Sequence, residues 1–240
     1  MKPSKHSPCT PTPSAHAQPQ TNLIPITLPM AGFWIMVAPV SLNLAFEIPA
    51  MTGMIALYLK GLFELSRLPS GRMAFYGGIL CGFLTFAPAL QFFWTLFQAG
   101  AIPLWLVLSF WHGCFLWLAR MVRTQYSAVW ASLLIPIIWT GLEYFRSELY
   151  FLRFSWLAAG HAFSEGPLSP ALGWLGSYGI SLSILFSISL MALLPGKRAR
   201  WIEVSLLGAL ILLSMPRSAM RDSAPAELEA SSVRIAGVQL

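Results

Sequence analysis

Residues 73–119 read MAFYGGILCGFLTFAPALQFFWTLFQAGAIPLWLVLSFWHGCFLWLA, a run without a single Asp, Glu, Lys or Arg. An uncharged apolar stretch of this length is foreign to a soluble core and is expected to lie in lipid. It is too long for one crossing, and the Gln98–Pro103 segment is its natural turn. That predicts helices near 74–97 and 103–121, each long enough at about 1.5 Å per residue to cross about 30 Å of hydrocarbon.

Working outward, residues 127–145 make another span around Pro136, residues 170–194 the next, and residues 201–215 a short last one. On the N-terminal side, residues 23–46 carry Pro25, Pro29 and Pro39, which predicts a kinked or partly re-entrant span. Residues 48–65 end with Lys60 and Glu64 at i,i+4, a pattern suited to a helix leaving the membrane. The expected fold is therefore an all-α polytopic membrane protein of about seven transmembrane helices, with the transmembrane domain over 23–217. Composition agrees. The chain is 56% hydrophobic and 10% charged, against about a quarter charged in soluble domains.

Residues 1–22 are rich in Pro, Ser, Thr, Gln and His and predict a disordered tail. Placing that tail in the cytoplasm puts Lys2, Lys5, Lys60, Arg67, Arg72, Arg120, Arg123, Lys197, Arg198 and Arg200 inside. Only Arg146, Arg153, Arg217, Arg221 and Arg234 then fall outside, as the positive-inside rule requires. The net charge of +6 is spread over short gaps and forms no basic face, which argues against nucleic acid as a partner. Residues 218–232 read as a polar linker. Residues 233–240, Val-Arg-Ile-Ala-Gly-Val-Gln-Leu, have the apolar, β-branched character of a strand opening a globular domain.

Charges at the end of a spanning helix are costly unless paired or wet, so Glu143 and Arg146 mark a candidate working surface. At i,i+3 on a continuing helix they share a face and can pair. Two readings stay open: a site for a phospholipid headgroup, with Arg146 as the phosphate fork, or a structural ion pair ending the helix. Phe151, Phe154 and Trp156 follow in the next connection. They suit either a loop dipping into the bilayer where acyl chains enter or an ordinary interfacial aromatic belt. Gln91 and His112 are expected to make interhelical or core hydrogen bonds, and the Gly78-x-x-x-Gly82 spacing predicts close helix packing. Cys9, Cys81 and Cys114 are too far apart for a metal or disulfide framework. No nucleophile–base–orienter set, phosphate loop, dinucleotide fingerprint or metal cluster is legible, so neither a catalytic centre nor a cofactor is expected in this chain.

Trp139-Thr-Gly-Leu-Glu-Tyr-Phe-Arg146, Phe154-Ser-Trp156 and Gly173-Trp-Leu-Gly-Ser-Tyr-Gly179 together resemble the membrane domain of apolipoprotein N-acyltransferases. Residues 233–240 resemble the first strand of the α/β, nitrilase-like domain that follows in that family. Ser155 stands where the family has Pro, implying a less rigid loop. The resemblance implies a bacterial inner-membrane enzyme with its C-terminus outside the cytoplasm. It would take an acyl chain from a membrane phospholipid, hold it as a thioester on a Cys, and pass it to the N-terminal cysteine of a lipoprotein. The family's Glu-Lys-Cys triad lies in the nitrilase-like domain, so this chain is expected to be a truncated membrane platform. Glu143, Arg146, Phe154 and Trp156 would be its lipid-access or domain-docking residues. A self-contained lipid-binding or scaffold module is the alternative expectation. A transporter fits less well, because the two halves show no repeat.

Overall fold

The computed structural model describes residues 25–164, 169–193 and 197–214. Among them are eight α-helices: α1 (Leu28–Glu47), α2 (Met54–Leu65), α3 (Gly71–Ala89), α4 (Phe92–Phe97), α5 (Ala101–Gln125), α6 (Ala128–Tyr144), α7 (Ser169–Met191) and α8 (Lys197–Ser214). No strand occurs among the described residues. The tail at 1–22, the linker at 218–232 and the strand expected over 233–240 lie outside them. Over the described residues the protein is all-α, with the helices of a multi-pass membrane protein. Four stretches are long and apolar enough to cross a bilayer: Leu28–Glu47, Phe92–Gln125, Ala128–Leu149 and Ser169–Met191.

Every expected span has a helix, with two departures. The span over 74–97 divides into α3 and α4, since Pro88 removes a backbone donor and the chain bends at Leu90 and Gln91. The span over 48–65 contains only the 12-residue α2, because Pro49–Met51 form a 3₁₀ turn that uses up its first third. At about 18 Å, α2 is too short to cross alone. It is nonetheless a central core element, with Ile55, Leu59, Leu62 and Leu65 fully buried.

Small residues set the closest helix contact. A Cβ on Gly78 would lie 2.6 Å from the His112 carbonyl oxygen, and one on Gly82 would lie 2.8 Å from Ser109 Cα. Gly113 answers from α5, 3.0 Å from the Phe75 carbonyl. The expected Gly78-x-x-x-Gly82 packing is thus the α3–α5 seam. Asn43 ties α1 to α3, its Nδ2 donating to the Pro39 carbonyl at 2.9 Å and the Thr85 carbonyl at 3.2 Å.

The two ends of the bundle differ. At one end the start of α1 meets the α2–α3 turn, Ile26 N donating to Arg67 O at 3.1 Å. The last turns of α5 close over that turn. Arg120 donates to the Leu68 and Pro69 carbonyls, and Arg123 Nε donates to Ser66 Oγ at 2.7 Å. Glu64 bridges Lys60 at 2.7 Å and Arg67 at 2.8 Å. The opposite end gathers α4 and the connection from α6 to α7, and holds the candidate site.

Candidate functional site

The last turn after α6 is not α-helical. Residues Phe145–Leu149 form a π-turn, closed by Tyr150 N donating to Phe145 O at 2.7 Å. Such an insertion widens the helix by one residue and re-aims the side chains beyond it, a device common at functional sites. Glu143 and Arg146 therefore straddle the change of register. Both are buried, at 4% and 5% exposure.

They do not form the direct ion pair that their i,i+3 spacing suggested. Glu143 Oε1 instead accepts from the Ala159 backbone N–H at 2.7 Å. Arg146 Nη2 reaches the Trp156 carbonyl at 3.5 Å, the outer limit of a hydrogen bond, with its guanidinium 5.6 Å from the Phe86 ring. The physical reason is the connection itself: it returns beneath α6, and its backbone groups compete successfully for both charged heads. Gly160 continues the clamp, its N–H donating to Ser181 Oγ of α7 at 3.2 Å. Residue 160 must be Gly, because a Cβ there would lie 2.0 Å from the Ser177 carbonyl oxygen.

Glu143 and Arg146 share a cavity of about 20 Å³ with Tyr58, Trp111, His112 and Trp139. Tyr58 Oη and His112 Nε2 are 2.5 Å apart, so His112 is a core histidine with one ring nitrogen satisfied by a neighbouring helix. The cavity has room for water beside the two charged heads. Glu143 and Arg146 thus both hold protein backbone here.

The segment they hold presents aromatic rings. Trp156 stacks on Phe93 of α4, centroids 6.0 Å apart and planes within 4°, and lies 5.5 Å from Phe92 and 5.1 Å from Phe154. Phe151 is 80% exposed and Trp156 51%. Two non-glycine residues flanking Phe154-Ser-Trp156 adopt left-handed backbone, Arg153 with φ 42° and Leu157 with φ 58°. For branched or long side chains this conformation is strained. The structure thus brings together all four sequence-predicted residues, Glu143, Arg146, Phe154 and Trp156, in one assembly.

One expectation fails, and other side chains near the site find partners of their own. Gln91 is exposed at the α3–α4 bend and does not bridge helices. Trp94 stacks on Trp105 at 6.3 Å. Glu148 accepts from Tyr178 Oη at 2.9 Å. Sequence reasoning did not find Tyr58, Phe92 or Phe93, and it marked Trp139 only as the start of the Trp139–Arg146 motif, without its place beside Tyr58 and His112. Phe92 and Phe93 had a signal, two adjacent aromatics beside Gln91. Tyr58, inside an apolar run, had none.

A family model described as the apolipoprotein N-acyltransferase N-terminal domain matches residues 27–190, which contain every residue of this assembly. The chain belongs to that family. It is 34% identical over 173 residues to an apolipoprotein N-acyltransferase of Pseudomonas paraeruginosa, covering 65% of this chain and 32% of the relative. A second relative of the same name, from Azotobacter vinelandii, is 34% identical over 147 residues, 58% of this chain and 27% of the other. A third, from Shewanella oneidensis, is 34% identical over 82 residues, 34% of this chain and 16% of the relative. The chain spans about a third or less of the length of the curated relatives it matches.

Proposed function

We propose that this chain supplies the membrane platform of an apolipoprotein N-acyltransferase. Such an enzyme moves an acyl chain from a membrane phospholipid to the N-terminal cysteine of a lipoprotein. The bond-making chemistry belongs to a nitrilase-like domain, whose first strand residues 233–240 resemble. The platform's own task is to collect the lipid. The observation that carries this reading is the clamped aromatic segment: Glu143 and Arg146 fix the backbone at Ala159 and Trp156, while Phe151 and Trp156 face outward. Charged side chains here act on backbone, and aromatic ones act on lipid. An amphipathic indole at that level is suited to the boundary between headgroups and acyl chains.

Charge sets the orientation. Lys60, Arg67, Arg120 and Arg123 cluster at one end of the bundle, which we place in the cytoplasm of a bacterial inner membrane. The aromatic segment then faces the outer leaflet, where lipidated substrates arrive.

Acyl transfer in cells is the test. The gene encoding this chain, with its contiguous coding sequence, is expressed in bacteria depleted of their own N-acyltransferase, and lipoprotein N-termini are read by mass spectrometry. Restored N-acylation is expected, and Trp156→Ala should lower it at unchanged membrane level. Lipid binding without any transfer would favour the self-contained lipid-binding module. Full activity of Trp156→Ala would remove Trp156 from the lipid path.

A further inference from the structure

The cavity between α2, α5 and α6 is lined by polar atoms that have not found one another. Glu143 Oε2, Arg146 Nε, Trp111 Nε1 and Trp139 Nε1 are all buried, and none has a hydrogen-bond partner among the described residues. One is a charged acceptor, and the other three are donors. Buried polar atoms are almost always paired with protein or with ordered water, and cavities that stay dry are those with apolar linings. The residual space is about 20 Å³. A water molecule needs roughly 10–15 Å³ and two to four polar partners, and both conditions are met.

We propose that one ordered water molecule occupies this cavity, donating to Glu143 Oε2 and accepting from Arg146 Nε, with the Trp139 indole N–H as a further donor. The Glu143–Arg146 pair is then complete, though bridged. Direct contact is unavailable, because each head group is already pulled toward the connection, Glu143 by Ala159 N and Arg146 by Trp156 O. The water closes a ring from α6 through the two charges to residues 156–159 and back. It is thus part of what holds the aromatic segment, and it stands whether or not that segment collects lipid.

The test uses the 240-residue chain in detergent micelles, labelled with ¹⁵N at arginine and tryptophan. Magnetisation transfer from long-lived water to side-chain N–H groups is measured, and signals are assigned with Arg146→Lys and Trp139→Phe. Water cross-peaks are expected at both Arg146 Nε–H and Trp139 Nε1–H. Glu143→Gln, which keeps an acceptor, retains them. Glu143→Leu, which fills the site with an apolar group, loses them. Should Glu143→Leu fail to fold, the wild-type and Glu143→Gln spectra decide alone. Absence of both cross-peaks from the wild-type protein, or a high-resolution structure with Glu143 and Arg146 in direct contact, overturns the proposal.

Discussion

The two ends of the bundle hold their charges in opposite ways. At the basic end, Glu64 is gripped by Lys60 and Arg67, and Arg120 and Arg123 donate into the Phe63–Pro69 turn, with Arg123 also 4.1 Å over the Phe63 ring. At the aromatic end, Glu143 and Arg146 each use one atom on backbone and leave another without a protein partner, and Arg153 and Leu157 sit in left-handed backbone. The first arrangement is what a stable cap looks like, redundant and satisfied. The second stores strain and polar capacity in one short segment, and proteins tend to keep such features where they act. A counter-charge that has a substitute beside it is cheap to lose, whereas the lone counter-charge of a buried group is not.

That difference is sharpest in Arg146→Met. It leaves Glu143 buried without a counter-charge and is expected to cost about 3–5 kcal/mol. The corresponding loss at the basic end, Lys60→Met, leaves Glu64 paired with Arg67 and is expected to cost clearly less than Arg146→Met, because no orphaned charge remains. Thermal unfolding in detergent, followed by tryptophan fluorescence, compares them directly. Equal costs would mean that the two ends are built alike. The paired change Glu143→Leu with Arg146→Met is expected to be milder than Arg146→Met alone, because no orphaned charge remains.

Next in size is Gly160→Ala. Its Cβ would meet the Ser177 carbonyl at 2.0 Å, and backbone on both sides leaves little room to give. A cost of about 1–3 kcal/mol or more is expected. Gly71→Ala, at the basic end, meets only the edge of the Trp117 side chain at 3.3 Å and is expected to change stability by less than about 0.5 kcal/mol. Arg123→Lys follows. Lysine cannot reproduce the fork that serves Ser66 Oγ and the Phe63 carbonyl together, so about 1 kcal/mol is expected to go with the lost bond.

How much of this was legible depended on whether the signal was local. The spans were readable because lipid demands long uncharged runs, and 73–119 has nothing else to be. Glu143, Arg146, Phe154 and Trp156 stood out because charge and aromatic side chains are conspicuous against apolar neighbours. What failed was geometry that depends on return of the chain. The i,i+3 spacing of Glu143 and Arg146 predicted a pair, but a π-turn and a connection folding back under α6 gave each a backbone partner. Tyr58 was invisible for the same reason, since its role comes from His112, 54 positions away. The bend at Leu90 that makes α4 was signalled by Pro88 and went unread inside an otherwise continuous apolar run.

The smallest expected effect asks whether the strain at the aromatic end is real. Arg153 is exposed, with φ 42°, and donates its backbone N–H to the Tyr150 carbonyl at 2.8 Å. Asparagine adopts left-handed backbone with little penalty and keeps that N–H, so Arg153→Asn relieves the strain without removing the turn. Glycine also relieves it but gives part of the gain back through the unfolded chain. Arg153→Asn is therefore expected to raise stability by under about 1 kcal/mol, with Arg153→Gly smaller still, read as a shift in thermal midpoint. A destabilised Arg153→Asn would mean that the arginine side chain, rather than the backbone alone, holds the segment. The aromatic end would then resemble the basic end more than its geometry indicates. If stability rises while acyl transfer falls, the strain itself serves the position of Trp156.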